Sequence, residues 1–348
     1  MKVLLVGLRQ AGQVGAHCAQ ALRAIAGTGD SLEVLDIAAH ALFRRRDSAF
    51  PPISLAAGAA HKAWLNRAVR FRARAFRPEL VIVIKGHELR PESLQAIRDE
   101  TGARLVNWNT DNPFNHLNSS HDLTAAIPFY DCYFTWGRFL LPKLIEAGAR
   151  RAEYLPFAYN PSLHRPVAPA RERTAVHRGS VVFAGSPDPT RLMYLRRVAD
   201  CDLGLWGNHW DRLPASDPLR HKWQGIAEGE QLAPVLSACQ IALNFVREQN
   251  GPAHNMRTFE APACGAFLLT SRTEEQVELL GNGPAAGAAY FDSPDELREK
   301  VEYYLCHPAE REAVARRGYE RITSRPNTYA DRLRRMLAVV DDRFDAPA

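Results

Sequence analysis

The sequence predicts an α/β protein made of two Rossmann-like domains facing across a cleft, and three observations carry that expectation. Short, almost wholly apolar runs such as residues 80–84 (LVIVI) alternate with helical periodicities, the pattern of parallel sheets covered on both faces. A proline-rich stretch without periodicity interrupts the alternation, which then restarts. At 348 residues, with 46% hydrophobic and 24% charged side chains, the chain is long enough to bury two cores.

The elements follow in order. Residues 1–7 (MKVLLVG) read as a strand ending at glycine, and residues 11–25 carry helical spacing, so the chain opens with a β-turn-α unit. Further strands are expected at 32–37, 80–84, 104–108 and 131–136, with helices near 61–76, 91–101 and 137–147. The stretch 155–179 holds four prolines and has the composition of a linker. Beyond it, strands are expected at 180–183, 202–206, 241–245, 267–270 and 288–291. The division is therefore a first domain over 1–155, a linker over 156–178, a second domain over 179–327 and a last helix over 328–348. That helix has apolar residues at Tyr329, Leu333, Met336, Leu337 and Val340, a stripe suited to packing back on the first domain. Ligands of open α/β sheets bind outside the carboxyl ends of the strands, so the cleft is the expected active site.

Composition removes several classes. The six cysteines show no C-x-x-C pair, which argues against a disulfide framework or a zinc site. No run of about 18 apolar residues and no leader pattern is visible, so the chain reads as a soluble cytoplasmic protein. A net charge of +5 is too modest for a dedicated nucleic-acid binder. H-E-x-x-H, Walker A and nucleophile-elbow patterns are missing, and with them the metalloprotease, kinase and hydrolase readings.

The most informative stretch is 244–270, NFVREQNGPAHNMRTFEAPACGAFLLT. A strand ends near Phe245, a polar loop follows, and a helix is expected to start near His254 or Asn255, carrying Arg257 and Glu260. A helix amino terminus with an arginine in its first turn suits a diphosphate, and Glu260 one turn on suits a ribose diol. The same residues also make an ordinary i,i+3 surface ion pair. Gly185 and Ser186 open the loop GSPDPTR, with Arg191 after them, and form either a phosphate-approaching turn or a plain one. Trp206 and Asn208 follow the next strand, where an aromatic ring and an amide can meet a base, although Trp206 serves equally as a core anchor.

In the first half, Gly7-Leu8-Arg9-Gln10-Ala11-Gly12 invites a dinucleotide reading, with Asp36 at the end of the second strand to bind a ribose. It fails the fingerprint, because Arg9 stands where close approach to a pyrophosphate needs glycine. His17 reads as a helix-surface or packing residue. Asp111, in Trp108-Asn109-Thr110-Asp111-Asn112-Pro113, leaves a strand at its carboxyl end and is the leading candidate to take a proton from an acceptor hydroxyl. Against it stands an Asx turn before Pro113. His87 and Glu88 are second candidates for the base. Arg67, Arg70, Arg74 and Arg77 fall on one helical face, preceded by Arg44, Arg45 and Arg46. Such a stripe holds an anionic acceptor or a membrane headgroup surface less often than it is simply solvated.

Asn255-x-Arg257-x-Phe259-Glu260-Ala261-x-Ala263-Cys264-Gly265 resembles the signature of the CgeB-like, spore-maturation-protein branch of the glycosyltransferases. So do Leu155-Pro156-Phe157-Ala158-Tyr159-Asn160-Pro161 with His164-Arg165-Pro166, Phe183-Ala184-Gly185-Ser186 with Arg191, and the phrase around Asp111. The resemblance implies the GT-B architecture, with Glu260 as the acid that binds the ribose of a nucleotide sugar. The second glutamate that retaining relatives carry upstream is Pro252 here. The expected reaction is metal-independent transfer of a sugar from a nucleoside-diphosphate sugar to an acceptor hydroxyl, with no cofactor besides that donor. In it Glu260, Arg257, Asn255, Arg191, Gly185, Ser186, Trp206 and Asn208 bind the donor, and Asp111 or His87 serves the acceptor. The rival readings are a nucleotide-dependent oxidoreductase and a non-catalytic nucleotide-sugar binding protein.

Overall fold

The computed structural model describes residues 1–40, 51–167 and 179–341. The chain divides into two compact units, Met1–Pro156 with Tyr329–Ala348, and Phe157–Thr328. The arginine run 44–46 and residues 168–178 of the expected linker lie outside the described residues.

Unit 1 runs β1 (Lys2–Gly7), α1 (Val14–Ile25), β2 (Ser31–Asp36), α2 (Pro51–Phe76), β3 (Leu80–Ile84), α3 (Pro91–Thr101), β4 (Arg104–Asn109), α4 (His121–Ala125), β5 (Cys132–Thr135), α5 (Leu141–Glu146) and β6 (Ala152–Tyr154). Its sheet is parallel throughout, in the order β2-β1-β3-β4-β5-β6. Every residue of β3 is buried, as its uninterrupted apolar run requires of a strand covered on both faces. Two departures from the sequence reading stand out. The helix expected at 61–76 begins at Pro51, since proline suits a helix's first turn and the alanine-rich segment behind it has high helix propensity but little periodicity. The three-residue edge strand β6 has no period to detect.

Unit 2 runs β7 (Val181–Ala184), α6 (Pro189–Arg196), β8 (Leu203–Trp206), α7 (Leu232–Ala238), β9 (Ile241–Asn244), α8 (Arg257–Ala263), β10 (Leu268–Ser271), α9 (Glu274–Leu280), β11 (Ala289–Phe291), α10 (Pro294–Cys306) and α11 (Pro308–Thr323). Its parallel sheet has the order β11-β10-β9-β7-β8. Rings of Phe183, Phe245 and Phe291 pack edge to face in its core at 5.3 and 5.4 Å.

The last helix, α12 (Tyr329–Asp341), belongs to unit 1. Tyr329, Leu333, Met336 and Val340 are buried, and the Tyr329 ring stacks on His17 of α1 at 4.7 Å. His17 is thus a packing residue. Arginines at the start of β4 and just before β6 close the far end of α12: Arg104 donates to the Val340 carbonyl at 2.7 Å and Arg151 to that of Val339 at 3.1 Å. Arg332 donates to the Pro156 carbonyl at 3.0 Å, and burial lowers its pKa to about 10.

Candidate active site

In an open parallel sheet, ligands meet the carboxyl edge where the connections change direction. The strand orders put that point between β7 and β9 in unit 2 and between β1 and β3 in unit 1.

At the β7/β9 edge the candidate donor residues converge. Arg191 in α6 donates from Nη1 to the Ser186 carbonyl at 2.9 Å and from Nη2 to the Phe245 carbonyl at 3.2 Å, tying the loop after β7 to the end of β9. Burial lowers its pKa to about 10, and the nearby Arg247 and Arg257 push the same way while Asp188 opposes them. Arg257 donates from Nε to the Ala184 carbonyl at 3.3 Å and from Nη1 to Glu260 Oε2. Its Nη2 has no partner among the described residues. Arg247, on the loop after β9, reaches Asp188 at 3.2 Å. Three guanidinium groups therefore crowd the edge of one sheet.

Glu260 is 1% exposed, so its pairing with Arg257 is a buried ion pair and not the exposed one that i,i+3 spacing ordinarily gives. Its Oε1 lies 3.6 Å from His164 Nε2. His164 Nδ1 accepts from the Asn160 amide at 3.0 Å, so the neutral ring carries its proton on Nε2, towards Glu260. Burial lowers the His164 pKa below 6.5, Glu260 raises it and Arg257 lowers it. A second buried histidine, His254, faces Glu275 at 2.8 Å and accepts from the Phe157 amide at 3.1 Å. Both histidines fix backbone that enters unit 2. The phrase HRP announced His164 without announcing its contact with Glu260; sequence separation hid the pairing of His254 with Glu275.

Asn255 and Trp206 take more definite places than their spacing announced. The helix after β9 starts at Arg257, with Met256 as its preceding residue, and Asn255 instead closes the end of β9, donating to Asn244 Oδ1 at 2.8 Å and the Phe245 carbonyl at 3.1 Å. Trp206 is 7% exposed in the wall of the sheet. The exposed indole at that edge is Trp223, held by the Gly207 and Gly225 carbonyls at 3.0 and 2.9 Å. Asn208 stands beside it and reaches Glu228 at 3.5 Å. Gly185 and Gly207 are in backbone contact: a Cβ on Gly207, whose φ is 135°, would lie 2.5 Å from the Gly185 oxygen.

At the β1/β3 edge of unit 1 is a cavity of about 580 Å³, lined at its base by Val6, Val83 and Ile84 and at its rim by Lys85, His87, Glu88, Asp111 and Ser120. The Asx turns after β4 are made by Asn109, which accepts from the Asp111 amide at 3.0 Å, and by Asn112, which accepts from the Phe114 amide at 3.0 Å. Asp111 is released from turn duty and pairs with Lys85 at 2.6 Å, both side chains about one-third exposed. Lys85 adopts a left-handed φ of 66°, and Gly86 follows at 86°. His87 accepts the Ser120 hydroxyl through its carbonyl at 2.5 Å. Glu88 is committed elsewhere: its carboxylate meets His61 Nδ1 at 2.8 Å, while His61 Nε2 faces the Ile37 carbonyl at 2.8 Å. This pairing occupies the Glu88 carboxylate, which disfavours it as a base. The glycines after β1 serve packing, for a Cβ on Gly15 would lie 2.5 Å from the Leu8 oxygen.

Comparison with known proteins agrees with this geometry. Residues 191–338 match the family model described as glycosyl transferase-like. The spore protein CgeB of Bacillus subtilis is 21% identical over 266 residues, covering 72% of this chain and 79% of CgeB. The chain is thus similar to a glycosyltransferase family over its second half and to CgeB over most of its length. Its fold is that of GT-B proteins, among them sucrose-phosphate synthase from Thermosynechococcus elongatus, with a TM-score of 0.71 at 14% identity over 100% of both chains. HepE from Anabaena, solved in complex with UDP-glucose, has a TM-score of 0.66 at 12% identity over 98% of this chain and all of its own.

Proposed function

We propose that this chain is a glycosyltransferase that moves a sugar from a nucleoside-diphosphate sugar to an acceptor hydroxyl, with unit 2 holding the donor and unit 1 the acceptor. The observation that carries the reading is the gathering of Arg191, Arg247 and Arg257 beside the buried Glu260 at the β7/β9 edge. The diphosphate faces Arg257 Nη2 and Arg247, with Arg191 positioning the loop of Gly185 and Ser186; ribose hydroxyls donate to Glu260, and the base lies towards Asn208 and the wall formed by Trp206. As the glycosidic bond breaks, charge grows on the leaving diphosphate, and fixed guanidinium groups stabilise it without reorganising. No protein-bound metal takes part, so turnover persists in excess chelator, and complete metal-reversible loss would overturn that part.

HepE's complex makes UDP the first ligand to test. In calorimetry, Glu260→Ala weakens UDP binding by about 1–3 kcal/mol, the cost of leaving a buried hydroxyl pair half made. Equal affinity in the wild type and the variant would remove Glu260 from the site.

A further inference from the structure

The outward face of α2 makes a cationic surface that the donor and acceptor sites do not use. Arg67, Arg70 and Arg74 rise along it one turn apart, and with Arg90 they line a groove of about 590 Å³ between α2 and the start of α3. Four arginines meet one acid, Glu92, in that lining. Arg70 and Arg74 are drawn to Glu100, but Arg67 and Arg90 have no ion-pair partner among the described residues. Phe71 stands among them with 68% of its surface exposed. Ile53, 48% exposed, lies 18 residues earlier, about five whole turns, and so on the same side of α2. A solvated face accounts for the arginines, but it does not make use of a phenyl ring set between guanidinium groups. A bilayer surface does, because phosphate headgroups take the arginines while the ring enters the acyl boundary.

We infer that this face of α2 docks on an anionic membrane surface, presenting unit 1 to it. No helix among the described residues is long and apolar enough to cross a membrane, so this contact is peripheral. Charge complementarity and the exposed ring commit the occupant to a phospholipid surface; a soluble anion would match the arginines and leave Phe71 unexplained.

The test is co-sedimentation of the full chain with phosphatidylcholine vesicles carrying about one-third phosphatidylglycerol, and with phosphatidylcholine alone. Binding is expected only to the anionic vesicles, with release at about 0.5 M salt, where screening reaches within a few ångströms. Arg67→Glu and Arg90→Glu each lower partitioning by roughly fivefold or more. Phe71→Ser lowers it too, and these exposed positions leave the melting temperature unchanged. Absence of binding, equal binding to neutral vesicles, or binding indifferent to all three substitutions would overturn the inference. So would inorganic phosphate protecting Arg67 and Arg90 from guanidine-directed labelling while vesicles do not, which assigns the groove to a soluble anion.

Discussion

Asp111 is the residue at which turn chemistry and proton chemistry part company. Asn109 and Asn112 carry the turns, leaving the Asp111 carboxylate with Lys85 above the unit 1 cavity. Asp111→Asn keeps the shape and removes the proton acceptor. If Asp111 is the base, transfer falls by roughly a hundredfold or more with donor affinity and melting temperature nearly unchanged; a retained rate passes the role to His87. At the other site, His164 supplies a pH signature. Burial holds its pKa below 6.5, so an unfolded chain binds its proton more readily than the folded one. Its contribution is complete above 6.5 and declines as the pH falls from there through the lowered folded value. The melting temperature of His164→Asn, which retains an acceptor for the Asn160 amide, therefore falls less steeply between pH 6.5 and about 5 than that of the wild type. Parallel curves would show that the ring is not held neutral.

Among elements, what the sequence made legible was whatever has a local pattern, an apolar run or a helical period. LVIVI became β3, residues 91–101 became α3 to the residue, and the apolar stripe from Tyr329 became α12. What it concealed depends on contacts between distant positions, such as Glu88 with His61 or His254 with Glu275, for which no local spacing exists. The candidate donor residues were legible as a set, since they cluster after three strands, yet their individual duties were not: Asn255 closes a strand and Trp206 is a wall. The meeting of the β7 and β8 loops was equally hidden, and it rests on glycine. Gly207→Ala places a Cβ against the Gly185 oxygen at a positive φ, which costs about 2–3 kcal/mol. Gly58→Ala, in α2 with open space around it, stabilises by about 0.5–1 kcal/mol. Denaturant unfolding of the two variants checks both signs, and equal shifts would show that the loops have room to part.

For the molecule as a whole, the decisive feature is that unit 1 is completed by a helix that follows unit 2 in the chain. Tyr329, Leu333, Met336 and Val340 are each worth about 1.5–3 kcal/mol of burial at most, together comparable to the 5–15 kcal/mol of a typical domain. A chain cut after Thr328 should therefore lose protection of unit 1 in hydrogen exchange while unit 2 keeps its own; unchanged protection of α1 would show that α12 is dispensable. The same arrangement sets an order of events at the ribosome. The strands of unit 1 emerge first, but their covering helix follows only after Phe157–Thr328 has been made, a wait of roughly ten to thirty seconds at common translation speeds. Unit 2 is thus the first part able to finish folding, though it is second to be synthesised, and the nascent unit 1 waits without the helix that packs on α1, at the stage when chaperones have most to hold.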